Sequence, residues 1–380
     1  MSEINYSTAP IRIRPEIERA NQDAWKHIAG PGSWWTGAER VAIAAETRAA
    51  LDCALCKKRK AALSANMMQG NHDSISDLPA PAIEAIHRIR TDSGRLSESW
   101  IKGLIAAGLS EGAYVELAGV LIATTVVDSF HRGVGLPLAP LPKPIEGKPS
   151  FYVPEGLEYE GAWVRTIPAA AGLAGPDEDV YFPEMTRGTP HVPFVNRGLS
   201  QVPEEIRNFA RMVKANYIPL GIVGDVAKYP QYLRALDTLQ TELVASRVSA
   251  LNGCFYCTTA HSMILRVEDK QKNAGVNMQA VVSDVDLGDA GVKHGSALVK
   301  FVNALKTDWD KLPETRKELR GKLGDEGLVD AAAAAATFEG FNRIADSAGI
   351  QLDPVMAEFT GGIRELLGLD RFNARTRAEQ

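Results

Sequence analysis

The stretch Glu242-x11-Cys254-Phe255-Tyr256-Cys257-x3-His261 gathers a carboxylate, two thiols and an imidazole. Asn252-Gly253 predicts the end of one helix and the start of another at Cys254, which sets both sulfurs in the new helix's first turn. Unpaired backbone N–H groups and the positive end of the helix dipole favour thiolate there, and thiolate is the reactive form of cysteine. His261 follows Cys257 by four residues, on the same helical face and in a position to take a thiol proton. Glu242, on the preceding helix, can orient that imidazole if the two helices pack antiparallel. A thiolate oxidised by peroxide becomes a sulfenic acid, which a second thiol three residues away can condense to a disulfide. An external thiol reductant must then reopen it.

With the preceding Arg247-Val248-Ser249-Ala250-Leu251-Asn252-Gly253, this pattern resembles the active-site signature of the alkylhydroperoxidase D (AhpD)-like, or carboxymuconolactone decarboxylase-like, family. The resemblance covers most of the second half of the chain. It implies a compact helical fold that assembles by helix packing into homo-oligomers. It implies a peroxidatic Cys257, a resolving Cys254 and a proton relay through Glu242 and His261, with no bound cofactor. The electron donor would be a thioredoxin-like, lipoyl-bearing or low-molecular-weight thiol. Tyr256 stands where some peroxidase members carry a second histidine between the cysteines. Members lacking the cysteine pair include cofactor-free decarboxylases.

The first half carries a weaker echo in Cys53-Ala54-Leu55-Cys56. Val41 and Lys60 stand where the signature wants Glu and His. Glu46, seven residues before Cys53 and so on its face if one helix runs through both, and His131, on a late helix near Asp128, are the candidate partners there, with Lys57, Lys58 and Arg59 as electrostatic support. This half reads as an altered or decayed site. His27, His72, His191 and His294 have no partner at ligand spacing and read as surface or core residues, while His87 stays ambiguous alongside His131.

These groups must be positioned by helices. Thr36 with Glu39 forms a capping box, and Ser110 caps a helix that runs through Phe130 and stops near Gly133 and Gly135. Leu233 to Leu251 has apolar residues at helical spacing, and Ala331–Ala336 suits close helix packing. Val115–Leu136 aligns without gaps on Val329–Ile350, and the two cysteine pairs fall at corresponding places upstream once an insertion in the second copy is allowed. The expectation is an all-α chain with two tandem AhpD-like domains. A degenerate one spans 1–140, a Pro/Gly-rich connector 141–195, the domain with the intact site 196–370, and a solvated tail 371–380. Eleven of the 21 prolines lie between Pro137 and Pro193, and Phe151, Tyr152, Trp163, Tyr181 and Phe182 there need somewhere to pack.

Composition leaves room for this reading. The 380 residues carry 42 basic and 47 acidic side chains, a net charge of −5, with no basic block to attract nucleic acid or an acidic membrane. The N-terminus lacks signal-peptide character, and the run Leu117–Val127 falls short of the ~20 residues of a membrane helix, so a cytoplasmic location is expected. Four cysteines in two Cys-x-x-Cys pairs in that compartment suggest redox or metal chemistry. The reading is a thiol-dependent peroxidase or disulfide oxidoreductase acting on a hydroperoxide. The alternatives are a cofactor-free lyase or isomerase with Glu242 and His261 as acid and base, or a redox-sensing or zinc-binding scaffold, the zinc form using all four thiolates.

Overall fold

A computed structural model describes residues 4–168, 177, 180, 192–219 and 229–372. Tyr181, Phe182, His191 and the tail from 373, with Arg375 and Arg377, lie outside the described residues. Fourteen α-helices are described: α1 (Pro15–Ala29), α2 (Gly37–Ala49), α3 (Ala54–Ala61), α4 (Ala80–Asp92), α5 (Glu98–Ala106), α6 (Glu111–Val134), α7 (Phe194–Arg197), α8 (Pro203–Asn216), α9 (Thr238–Asn252), α10 (Phe255–Lys272), α11 (Gly295–Thr307), α12 (Leu312–Ser347), α13 (Pro354–Phe359) and α14 (Gly361–Leu367). The protein is all-α, and among the described residues the one β-type pairing is an isolated bridge between Glu158 and Thr166.

Local chemistry sets the helix ends. Thr36 and Glu39 close the expected capping box at α2, and Asp237 with Gln240 closes another at α9. These two boxes stand at the same separation as Cys53 and Cys254. The Asp237 cap starts α9 later than the apolar spacing from Leu233 predicts, because its carboxylate captures the Gln240 N–H. Ser110 caps α6, and Gly135 ends it in the left-handed conformation at φ 86°. Gly324, at φ 72°, breaks α12 into two helical stretches.

The main core runs through both halves, from Ile4 to Ile350, and its most extensive helix pair is α6 against α12. Small residues let these backbones approach closely. A Cβ on Gly133 would sit 2.7 Å from that of Ala332, and one on Gly340 would sit 2.7 Å from the Phe209 ring. By length and composition α6 could cross a membrane, unlike its shorter run Leu117–Val127 taken alone, but its apolar window is wholly buried inside the protein.

Buried charge also ties the elements. Arg40 of α2 donates to Glu116 of α6 at 2.5 Å and to Glu205 of α8 at 2.8 Å, and His27 of α1 meets Glu205 at 2.8 Å. Arg343 and Glu339 of α12 pair with each other at 2.7 Å, Lys306 of α11 reaches Glu339 at 2.5 Å, and Arg343 donates to the Arg90 carbonyl of α4 at 2.9 Å.

Residues 141–168 contain no helix and run along both halves. Ile145 donates to the Ala29 carbonyl at 2.8 Å, and Trp163 donates to that of Ala348 at 2.7 Å. The Trp163 indole lies over Gly349, where a Cβ would clash at 1.8 Å. Phe151 and Tyr152, expected to pack, instead remain 63% and 39% exposed. The Tyr152 hydroxyl bonds Asp177, and the ring of Phe151 meets Trp34 edge-on.

Candidate functional sites

Gly253, at φ 68°, ends α9 in the left-handed region that glycine adopts without strain. Cys254 then stands as the N-cap residue of α10, with Cys257 in the first turn and His261 one turn further on. The helix α9 packs along α10 and carries Glu242 to the imidazole. His261 Nδ1 lies 2.8 Å from Glu242 Oε2. A carboxylate only accepts, so Nδ1 carries the hydrogen and Nε2 is the nitrogen left to exchange a proton. Tyr217 donates to the other carboxylate oxygen at 2.6 Å and so fixes Glu242 from a third element. Phe338 of α12 meets the His261 ring edge-on at 4.3 Å. The predicted constellation of Glu242 and His261, beside the helix start that bears Cys254 and Cys257, therefore comes together in space.

Both sulfurs are buried, and Cys254 and Cys257 belong to the main core. Burial drives the Cys254 thiol well above its ordinary value, with Cys257 and the charge of Asp346 adding to the effect. Tyr256 turns away from the relay. Its hydroxyl donates to Asp353 at 2.6 Å, and burial followed by that carboxylate holds it protonated well above the usual tyrosine range. A cleft of about 250 Å³ opens beside Phe255 and Tyr256, lined also by Asp346 and Leu352.

The first pair has the same local frame. Cys53 is the N-cap residue of α3, and Cys56 lies in its first turn. The helix ends at Ala61, and the imidazoles come from other elements: His72 from the segment before α4 and His87 from α4 itself. His72 Nδ1 lies 3.5 Å from Cys53 Sγ and 3.6 Å from Cys56 Sγ, and His87 Nδ1 lies 3.3 Å from Cys56 Sγ. Glu46 joins this site through His87 Nε2 at 3.1 Å, and it accepts from Ser74 Oγ and the Ile75 N–H, each at 2.7 Å. Glu84 holds His72 Nε2 at 2.7 Å and is itself held by Arg59 at 2.8 Å.

Two expectations are corrected here. His131 does not join Cys53 and Cys56. Its Nδ1 bonds the Pro137 carbonyl at 2.7 Å and its Nε2 meets the Tyr6 hydroxyl at 3.0 Å, while nearby Asp128 pairs with Arg48. His72, read as a surface or core residue with no partner at ligand spacing, is instead a centre of the cluster. The sequence held one usable signal, because the spacing from Cys56 to His72 falls in the range of zinc-ligand motifs. His87 carried no such signal.

The two thiols here differ in acidity. Burial raises Cys53, but N–H groups of Asp73 and Cys56 and the His72 ring outweigh it and bring the thiol below 9.0. Burial and the neighbouring Cys53 charge push Cys56 up to about 12. A cleft of about 440 Å³ between the halves is lined by Cys56, Arg90, Asn252, Lys306, Glu339 and Arg343. Burial drives Lys306 down to about 8 there, against the pull of Glu339.

No protein-family model matches the chain, and no curated protein or solved structure matches it either.

Proposed function

We propose that the protein is a thiol-dependent peroxidase or disulfide oxidoreductase working through Cys254 and Cys257. The observation that carries this reading is the 2.8 Å bond between Glu242 and His261, one helical turn beyond a Cys-x-x-Cys pair at a helix start. The relay turns Nε2 of His261 into the proton acceptor on the face that Cys257 shares. Once deprotonated, Cys257 attacks the terminal oxygen of a hydroperoxide. The O–O bond breaks, the alcohol leaves with a proton returned through His261, and Cys257 becomes a sulfenic acid. Cys254, held as a protonated thiol by burial, then condenses with it, forming the disulfide and releasing water. A dithiol donor takes the disulfide by exchange, is itself oxidised, and restores both thiols.

A hydrogen-bonded carboxylate–imidazole pair also serves acid–base chemistry without redox. The two adjacent thiols favour the redox reading, since a decarboxylase or isomerase has no use for them. The recurrence of capping box, cysteine pair and long small-residue helix in both halves supports a tandem origin from one AhpD-like unit.

The test is hydroperoxide consumption coupled to a dithiol donor, for wild type and Cys257→Ser. Donor-dependent turnover that vanishes in the variant is the expected result. Equal rates in both proteins would overturn the proposal.

A further inference from the structure

The cluster around Cys53 has the form of a metal centre. Four donor atoms, Sγ of Cys53 and Cys56 and Nδ1 of His72 and His87, lie within 4.8 Å of one another. Zinc bound tetrahedrally at about 2.3 Å from sulfur and 2.0–2.1 Å from nitrogen requires sulfur and nitrogen to stand about 3.5–3.6 Å apart. The contacts observed are 3.5, 3.6 and 3.3 Å. These three sulfur–nitrogen separations are close to those such an ion needs.

The outer groups agree. Both imidazoles turn Nε2 toward a carboxylate, His72 to Glu84 and His87 to Glu46. A carboxylate accepting from Nε2–H leaves Nδ1 bare, and here both bare nitrogens face the two sulfurs. Carboxylate–histidine pairs of this kind orient metal-binding imidazoles and raise their basicity. Two such pairs converging on one pair of thiols form a complete outer shell, with Arg59 balancing Glu84.

Packing gives an independent reason. Cys53, Leu55 and Cys56 form a three-residue apolar cluster separate from the main core. The segment from Ala62 to Pro79 that covers it exposes Leu63, Met67 and Ile75 at 103%, 77% and 66%. Apolar burial holds little of this long connection in place, and an ion linking His72 to α3 and α4 would anchor it.

We propose that Cys53, Cys56, His72 and His87 bind one zinc ion as a closed structural site. Two thiols each release a proton on binding, so the dication, two thiolates and two neutral imidazoles sum to no net charge. All four coordination positions are filled by protein, which suits structure and not catalysis. Two thiolates with two imidazoles select zinc over harder cations.

The test measures zinc by elemental mass spectrometry on the full-length protein purified without chelator and after zinc addition. One zinc per chain is expected, retained by the Cys254→Ser/Cys257→Ser double variant and lost from Cys53→Ser and His72→Ala. Because losing a ligand can unfold the segment, Glu84→Gln supplies a second readout with all four ligands intact. Its zinc affinity, measured against a chromophoric chelator, should fall roughly 10–100-fold with an unchanged circular dichroism spectrum. Cobalt(II) added to the metal-free wild type should give the intense ligand-field and thiolate charge-transfer bands of a tetrahedral site. Zinc absent even after addition would overturn the proposal. So would zinc that follows Cys254 and Cys257, an unchanged affinity in Glu84→Gln, or a Cys53–Cys56 disulfide as the stable form. Loss of hydroperoxide turnover in Cys257→Ser with zinc retained separates this proposal from the peroxidase reading, which stands or falls on Cys254 and Cys257.

Discussion

The two cysteine pairs start from one local frame and end in different surroundings. In both, the first cysteine is the N-cap residue of a helix and the second lies in its first turn. Around Cys254 the helix continues to Lys272 and brings His261 on its own face, with a carboxylate from α9 and aromatic walls from the main core. Around Cys53 the helix stops at Ala61, and two imidazoles with two carboxylates arrive from outside it. A helix N-terminus presents a thiol equally well to a proton relay or to a metal. What converges on the sulfur decides which.

The largest effect expected from breaking this contrast is at Cys257. With Cys257→Ser, hydroperoxide turnover should fall to the uncatalysed background while zinc content stays at one per chain, both read on the same preparation. Glu242→Gln should follow, lowering turnover by about 10²–10⁴-fold, since it removes the charge that orients and supports His261. Its circular dichroism spectrum should match the wild type, which separates this loss from simple unfolding.

The charged cluster between the halves sharpens the comparison at the level of stability. Burial pushes the Glu339 carboxyl up, but the charges of Lys306, Arg343 and Arg90 outweigh it and hold it far below 4.5. A depressed carboxylate adds stability that is fully present above its unfolded value and is lost as pH falls through the folded one. Glu339→Gln should therefore cost about 3–5 kcal/mol at neutral pH. Thermal unfolding curves of variant and wild type should converge as pH falls below 4.5. Gly340→Ala, which forces a methyl against Phe209 and Val126, should cost about 1–3 kcal/mol in chemical denaturation. Tyr217→Phe should have the smallest effect, about 1 kcal/mol, as Glu242 loses one of its hydrogen bonds.

What could be read in the sequence was what is local. The caps at Thr36 and Ser110, the stop at Gly135 and the helix start at Cys254 are encoded within a few residues, and they stand in the structure as read. Cys257 and His261 could be paired because one helix carries both. His87, on a separate helix, could not, and His72 had only its spacing from Cys56 to mark it, because the segment from Ala62 to Pro79 has no periodicity to say where it folds back. His131 was the wrong choice for a related reason. It sits on α6, whose buried face turns it to Tyr6 and Pro137. Arg40, Glu116 and Glu205 lie far apart in the chain and meet only where three helices close over them, which no local pattern announces.

The most direct test of the central claim is a thiol map by peptide mass spectrometry before and after one equivalent of hydroperoxide. The account predicts that Cys254 and Cys257 lose their thiols together as one disulfide, while Cys53 and Cys56, held by zinc, emerge unoxidised once the metal is removed. Oxidation confined to Cys53 and Cys56, or spread equally over both pairs, would contradict it.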